Sequence, residues 1–202
     1  MSPKKWFGMI VVLSLIMMTV FTKPWTVDRT TSESIRYYVL SLAGFLGMIV
    51  MMWQALLGIR PMFAWWNRDF FWINRWHKWL GIGTIAMILI HPIAVVVAYG
   101  TSWLYAIMPD LSSSFEIWVS IGKIAFDLII AVLLTSILSR RIMSFRVRWR
   151  VHLLVYPAFV MMRLHALQSG FMLSTNSLVY GYWIVIGMVL GVAMIVRLAY
   201  QW

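Results

Sequence analysis

Long apolar segments alternate with short polar segments along almost the whole chain. The apolar runs lie at about residues 7–22, 36–57, 78–99, 116–138, 151–170 and 178–199. Each is close to the ~20 residues that a helix needs to cross the hydrocarbon core of a bilayer. The pattern therefore predicts an all-α polytopic membrane protein, with six transmembrane helices forming one domain over residues 1–202.

The composition excludes a soluble globular domain. Hydrophobic residues make up 62% of the chain and charged residues 11%, whereas soluble domains are about 45–50% apolar. The sequence contains no cysteine, which excludes disulfides, thiolate haem ligation and iron–sulfur clusters. The net charge of +11 comes from cations in short segments between apolar runs, where they act as a topology signal. We therefore expect membrane lipid, and no nucleic acid, as a partner.

The distribution of these cations predicts the orientation. With a cytoplasmic N-terminus, the outer segments hold only Lys23, Arg29 and Arg36. The inner side holds twelve others, namely Lys4, Lys5, Arg60, Arg68, Arg75, Lys78, Arg140, Arg141, Arg146, Arg148, Arg150 and Arg197. This asymmetry predicts cytoplasmic N- and C-termini in a multi-pass protein of the cell membrane, with a bacterial inner membrane as the expected location.

The four histidines fall in two segments, with His77 at the start of the third span and His91 within it, and with His152 and His165 within the fifth span. His77 and His91 are fourteen residues apart, which brings both imidazoles within roughly 40° of one helix face, about 21 Å apart along the axis. In the predicted topology, His77 and His152 lie near the cytoplasmic side, and His91 and His165 lie toward the outer side. The natural matching is therefore one inner pair and one outer pair.

Two pairs of imidazoles across a membrane point to haem. A neutral imidazole is a good iron ligand, and a b-type haem needs two axial ligands from opposite faces of its ring. One histidine from each of two neighbouring helices supplies that arrangement, and two such pairs stack two haems through the bilayer. Ionisable groups within spans are functional by default.

The two histidines of the fifth span are spaced differently from those of the third. His152 and His165 are thirteen residues apart, so a straight helix would turn the second ring about 140° away from the first. Pro157 lies between them and has no backbone N–H to donate. We therefore expect a kink or local unwinding that re-aims His165.

The residues together resemble a known family. Six spans, paired histidines on the third and fifth, HKWLGIG at the first histidine and RVRWRVH leading into the fifth span are similar to the ferric reductase-like transmembrane domain family. The family includes ferric reductases, the membrane core of NADPH oxidases, and the haem-binding membrane subunit that feeds periplasmic methionine sulfoxide reductase.

The resemblance implies two b-type haems, with His77 and His152 on the inner one and His91 and His165 on the outer one. Electrons would enter from a cytoplasmic flavin and leave to an outer acceptor, which is ferric iron, dioxygen, a quinone or a periplasmic enzyme. Larger members continue into a flavin- and nicotinamide-binding domain, but this sequence has no glycine-rich dinucleotide fingerprint. The flavin is therefore expected on a separate flavoprotein or on a domain cut away from this chain. Whether the chain is itself an enzyme stays open, and no catalytic residue is assigned.

Other residues in the spans have two interpretations each. Arg163 suits a haem propionate or an anionic acceptor, or it reaches the lipid headgroups. Gly81, one turn after His77, would let a flat macrocycle approach, or it serves close helix packing. Lys123 and Asp127 are four residues apart, which suits an internal ion pair or a proton path, and the ion pair is our prediction.

The rival interpretation is a transporter whose histidines bind a transition metal or relay protons. Such a protein would need acidic or polar residues beside the histidines and a helix broken near the midplane. The neighbours of these histidines are mainly apolar, which favours the flat hydrophobic slot of a haem.

Overall fold

The computed structural model describes residues 3–21, 31–59, 71–138, 143–170, 173 and 177–199. This part of the chain is helical and contains no β-strand. Its helices are α1 (Pro3–Phe21), α2 (Thr31–Leu57), α3 (Phe71–Tyr99), α4 (Trp103–Ile107), α5 (Ser114–Leu138), α6 (Phe145–His152), α7 (Val155–Ser169) and α8 (Ser177–Ala199).

Four of the described helices are long and apolar enough to cross a bilayer. The spans lie at Ile35–Leu57, Phe71–Tyr99, Ser114–Ser136 and Ser177–Val196. The chain is therefore a multi-pass membrane protein. Among the cations that predict its orientation, those outside the described residues are Lys23, Arg29, Arg60, Arg68, Arg140 and Arg141.

The chain divides into two compact units, and the first contains α1, α2, α3 and α8. Its centre is the antiparallel pair of α2 and α3, which glycines bring into close approach. A methyl group on Gly47 would lie 3.1 Å from Cβ of Met87, and one on Gly83 would lie 3.5 Å from Val50. Glycines within apolar spans typically admit such a close neighbour.

An aromatic cluster holds α1 against this pair. The buried ring of Phe7 lies 5.4 Å from Trp53, 5.8 Å from Trp72 and 5.6 Å from Trp76 between ring centroids. Two of these contacts are edge-to-face, the arrangement that aromatic quadrupoles favour. The cluster fixes the end of α3 from which His77 projects.

The second unit contains α4, α5, α6 and α7. The segment before α5 is tied to that helix by Ser120, whose hydroxyl accepts from the Asp110 N–H and donates to the Asp110 carbonyl, each over 2.7 Å. The backbone N–H of Ser112 donates to Asp110 Oδ1 and lowers the pKa of this carboxyl below its ordinary value.

The predicted Lys123–Asp127 ion pair is wrong. The Lys123 ammonium donates to the Met108 carbonyl over 2.9 Å and lies 4.2 Å from the centroid of the Tyr105 ring. Asp127 is exposed. A lysine side chain reaches far along its helix, and the preceding loop offers Lys123 a carbonyl and an aromatic face.

The predicted fifth span, residues 151–170, is interrupted between α6 and α7. Pro157 has no N–H for the carbonyl four residues earlier, and the Tyr156 N–H donates to Leu153 over 3.1 Å instead. This is the local unwinding expected near Pro157. The 15 residues of α7 extend about 22 Å.

Candidate functional site

His77 and His91 project from one face of α3 toward α2. Nδ1 of His77 donates to the Gln54 carbonyl over 2.9 Å, and Nδ1 of His91 donates to the Leu40 carbonyl over 3.1 Å. Both the two histidines and the two acceptors are fourteen residues apart. The antiparallel helices α2 and α3 therefore make the same histidine–carbonyl contact at two levels along their length, which confirms the prediction that both rings share a face.

His165 makes the same contact in the second unit. Its Nδ1 donates to the Trp118 carbonyl of α5 over 3.0 Å. His165 is half-buried on α7. A histidine helix packed against an acceptor helix is thus present in each of the two units.

These contacts determine which ring nitrogen carries the proton. A carbonyl oxygen only accepts hydrogen bonds, so Nδ1 carries the hydrogen and Nε2 of the neutral ring carries the lone pair. Ligand histidines in metal sites are typically held in this way, with the second nitrogen donating to a carbonyl or carboxylate. In each of the three rings, Nε2 is then the nitrogen that could bind a metal.

His152 is the last residue of α6 and is half-buried. The helix begins after Ser144, whose hydroxyl accepts from the Val147 N–H. Arg148 lies one turn before His152, and its Nε is buried without a hydrogen-bond partner among the described residues. A buried guanidinium nitrogen without an acceptor suits an anionic group beside His152.

Gln54 is the centre of the contacts around His77. Its backbone carbonyl accepts from His77, and its side-chain oxygen accepts from the Thr84 hydroxyl over 3.2 Å. A methyl group on Gly81 would lie 2.7 Å from the Gln54 side-chain nitrogen. Gly81 therefore takes part in close packing between α2 and α3, and its predicted contact with a haem stays a prediction.

Two glycines that contact the histidine rings had no predicted role in the site. A methyl group on Gly44 would lie 3.1 Å from Nδ1 of His91, and one on Gly122 would lie 2.7 Å from Cγ of His165. The available signal was a glycine within an apolar span, which is too common to identify a site.

One further predicted site residue is on the same helix as His165. Arg163 is half-buried on α7, two residues before His165, and its contact with a propionate or an acceptor stays a prediction. In the part of the chain that the structure describes, no three His, Cys, Asp or Glu side chains are grouped to hold one metal ion.

The fold and the histidines define a polytopic membrane protein in which His77, His91 and His165 donate to carbonyls of neighbouring helices. Residues 43–163 match the family model described as ferric reductase like transmembrane component. The match covers more than half of the chain and includes His77, His91 and His152. The chain belongs to this family, as its histidine pattern predicted. No curated protein and no solved structure matches it.

Proposed function

We propose that the chain is a b-type haem cytochrome that carries electrons across the membrane. The donor is a cytoplasmic flavin, and the acceptor lies at the outer face. The observation that carries the proposal is the hydrogen bond from Nδ1 to a helix carbonyl at His77, His91 and His165. This bond leaves Nε2 as the ligand atom and fixes the ring plane.

The residues fit two bis-histidine haems. His77 and His152 would hold the inner haem, and His91 and His165 the outer one. The buried Nε of Arg148, one turn before His152, fits an inner propionate. Bound haem supplies a reversible one-electron carrier. The protein holds its ligands, keeps water away and sets the dielectric around it.

The topology gives the electron path its direction. Six spans with cytoplasmic termini would put the inner pair beside the donor, with α6 and α7 together forming the fifth span. The donor is a separate flavoprotein or a flavin domain joined to this chain. Ferric iron, dioxygen, a quinone and a periplasmic enzyme are the acceptor classes, and the cell membrane, as in a bacterial inner membrane, is the location.

Single replacements of the four histidines by alanine test the proposal. His91→Ala and His165→Ala should lose the same haem, and His77→Ala and His152→Ala the other, because each haem needs both axial ligands. Haem per chain is measured by the pyridine haemochrome assay, and the remaining haem is identified by its EPR signal. Gln168→Ala, an exposed polar position on α7, is the matched control and should keep both haems.

The pairing of the losses is the decisive result. Four variants that each retain both haems would contradict the ligand assignment. Loss in a different pattern, such as His77 with His165, would contradict the stacking of inner and outer sites. A wild-type protein that takes up no haem but binds a transition metal through these histidines would favour the transporter.

A further inference from the structure

Two glycines lie against the rings of two proposed haem ligands, each four residues after the carbonyl that the ring donates to. On α2, Leu40 accepts from His91, and Gly44 follows four residues later. On α5, Trp118 accepts from His165, and Gly122 follows four residues later. The same arrangement thus occurs once in each compact unit.

Helix geometry explains why glycine suits this spacing. A helical carbonyl already accepts the N–H of the residue four positions later, so a second donor must approach its oxygen from outside the helix. Side chains tilt toward the N-terminus of their helix, so the side chain at that later position covers the approach to the oxygen. A glycine leaves this approach open to an imidazole ring.

The distances show how little space remains. A methyl group on Gly122 would lie 2.7 Å from Cγ and 2.8 Å from Nδ1 of His165, well inside the ~3.5 Å at which carbon atoms attract. On Gly44 it would lie 3.1 Å from both Nδ1 and Cε1 of His91. The ring would have to turn or withdraw, and its hydrogen bond to the carbonyl would lengthen.

We propose that Gly44 and Gly122 are positioning residues, each for the ligand imidazole that packs on it. Each lets that imidazole pack on bare helix backbone, so that Nδ1–H is held and the direction of Nε2 is fixed. The inference rests on the proposed function, which makes His91 and His165 haem ligands. Such outer partners of a ligand typically contribute 10–100-fold to metal affinity.

The chain also offers glycines without this contact as controls. A methyl group on Gly83 of α3 would meet Val50 at 3.5 Å, an ordinary contact. One on Gly181 of α8 would have no neighbour within 4 Å among the described residues. All four glycines are helical, so alanine improves helix propensity similarly at each. A difference between the variants at Gly44 and Gly122 and the variants at Gly83 and Gly181 therefore reports the effect of the ring contact.

The test compares Gly122→Ala and Gly44→Ala with Gly83→Ala and Gly181→Ala, each as the full chain purified in detergent. Haem per chain, the largest g value of each oxidised haem by EPR and the midpoint potentials are measured. For Gly122→Ala we expect one haem to shift in g value and to bind 10–100-fold more weakly. Gly44→Ala should shift the haem that His91 binds, and by less, and both controls should match the wild type.

Each outcome decides the inference. If Gly122→Ala does not fold, Gly44→Ala decides, because its methyl group meets the ring at 3.1 Å rather than 2.7 Å. If the protein has two haems and both Gly44→Ala and Gly122→Ala match the controls, the inference is overturned and the proposed function stands. A wild type that binds no haem overturns the proposed function and, with it, the inference about the two glycines.

Discussion

Thr84 ties the helix of His77 to the helix that accepts its hydrogen bond. The Thr84 hydroxyl donates to the side-chain oxygen of Gln54 over 3.2 Å, and Thr84 is only 3% exposed. The backbone carbonyl of the same glutamine accepts from His77 over 2.9 Å. Thr84→Val keeps the shape of the side chain and removes the donor. A neutral hydrogen bond contributes about 0.5–1.5 kcal/mol, and a stranded buried acceptor costs about 1–3 kcal/mol.

We therefore expect Thr84→Val to lower the free energy of unfolding by about 1–3 kcal/mol, or roughly 2–12 °C in melting temperature at this chain length. Thermal unfolding in detergent, followed by tryptophan fluorescence, measures the loss. Thr135→Val is the matched control, because the Thr135 hydroxyl bonds carbonyls of its own helix at Ala131 and Val132. A Thr84→Val protein as stable as the wild type, or an equal loss in the control, would refute the reasoning.

Two further predictions concern the loop before α5 and the topology. Ser120→Ala removes both hydrogen bonds to the Asp110 backbone and should cost about 1–3 kcal/mol in the same assay. Ser136→Ala, whose hydroxyl bonds Val132 in its own helix, should cost much less, and equal losses would count against the argument. The sequence has no cysteine, so Ser112→Cys should react with an impermeant maleimide from outside intact cells, and Ser144→Cys only after lysis. The reverse labelling pattern would contradict the cytoplasmic N-terminus.

The features that depend on one helix could be predicted from the sequence. The fourteen-residue spacing of His77 and His91 sets their common face through helix geometry alone, and both rings do contact α2. The interruption near Pro157 follows from its missing N–H, and it appears between α6 and α7. The family was likewise recognisable from the histidine pattern, and the family match confirms it.

The features that depend on contacts between helices could not be predicted. The contact of His165 with Gly122 depends on the register of α5 against α7. The Trp118 carbonyl to which His165 donates is 47 residues away in sequence. For Lys123, local spacing suggested a partner that tertiary packing does not provide. Its four-residue spacing from Asp127 permits an ion pair, but a loop carbonyl fifteen residues away takes the ammonium. Local spacing gives the possible partners of a side chain, and tertiary packing selects among them.

The central claim is that this chain carries two bis-histidine b-type haems. The most direct test is the visible spectrum of the detergent-purified wild type, oxidised and dithionite-reduced, together with a haemochrome assay of haem per chain. The account predicts a Soret band that shifts on reduction, sharp α and β bands, and about two haems per chain, one for each histidine pair. A colourless protein that cannot be reconstituted with haem would contradict the account.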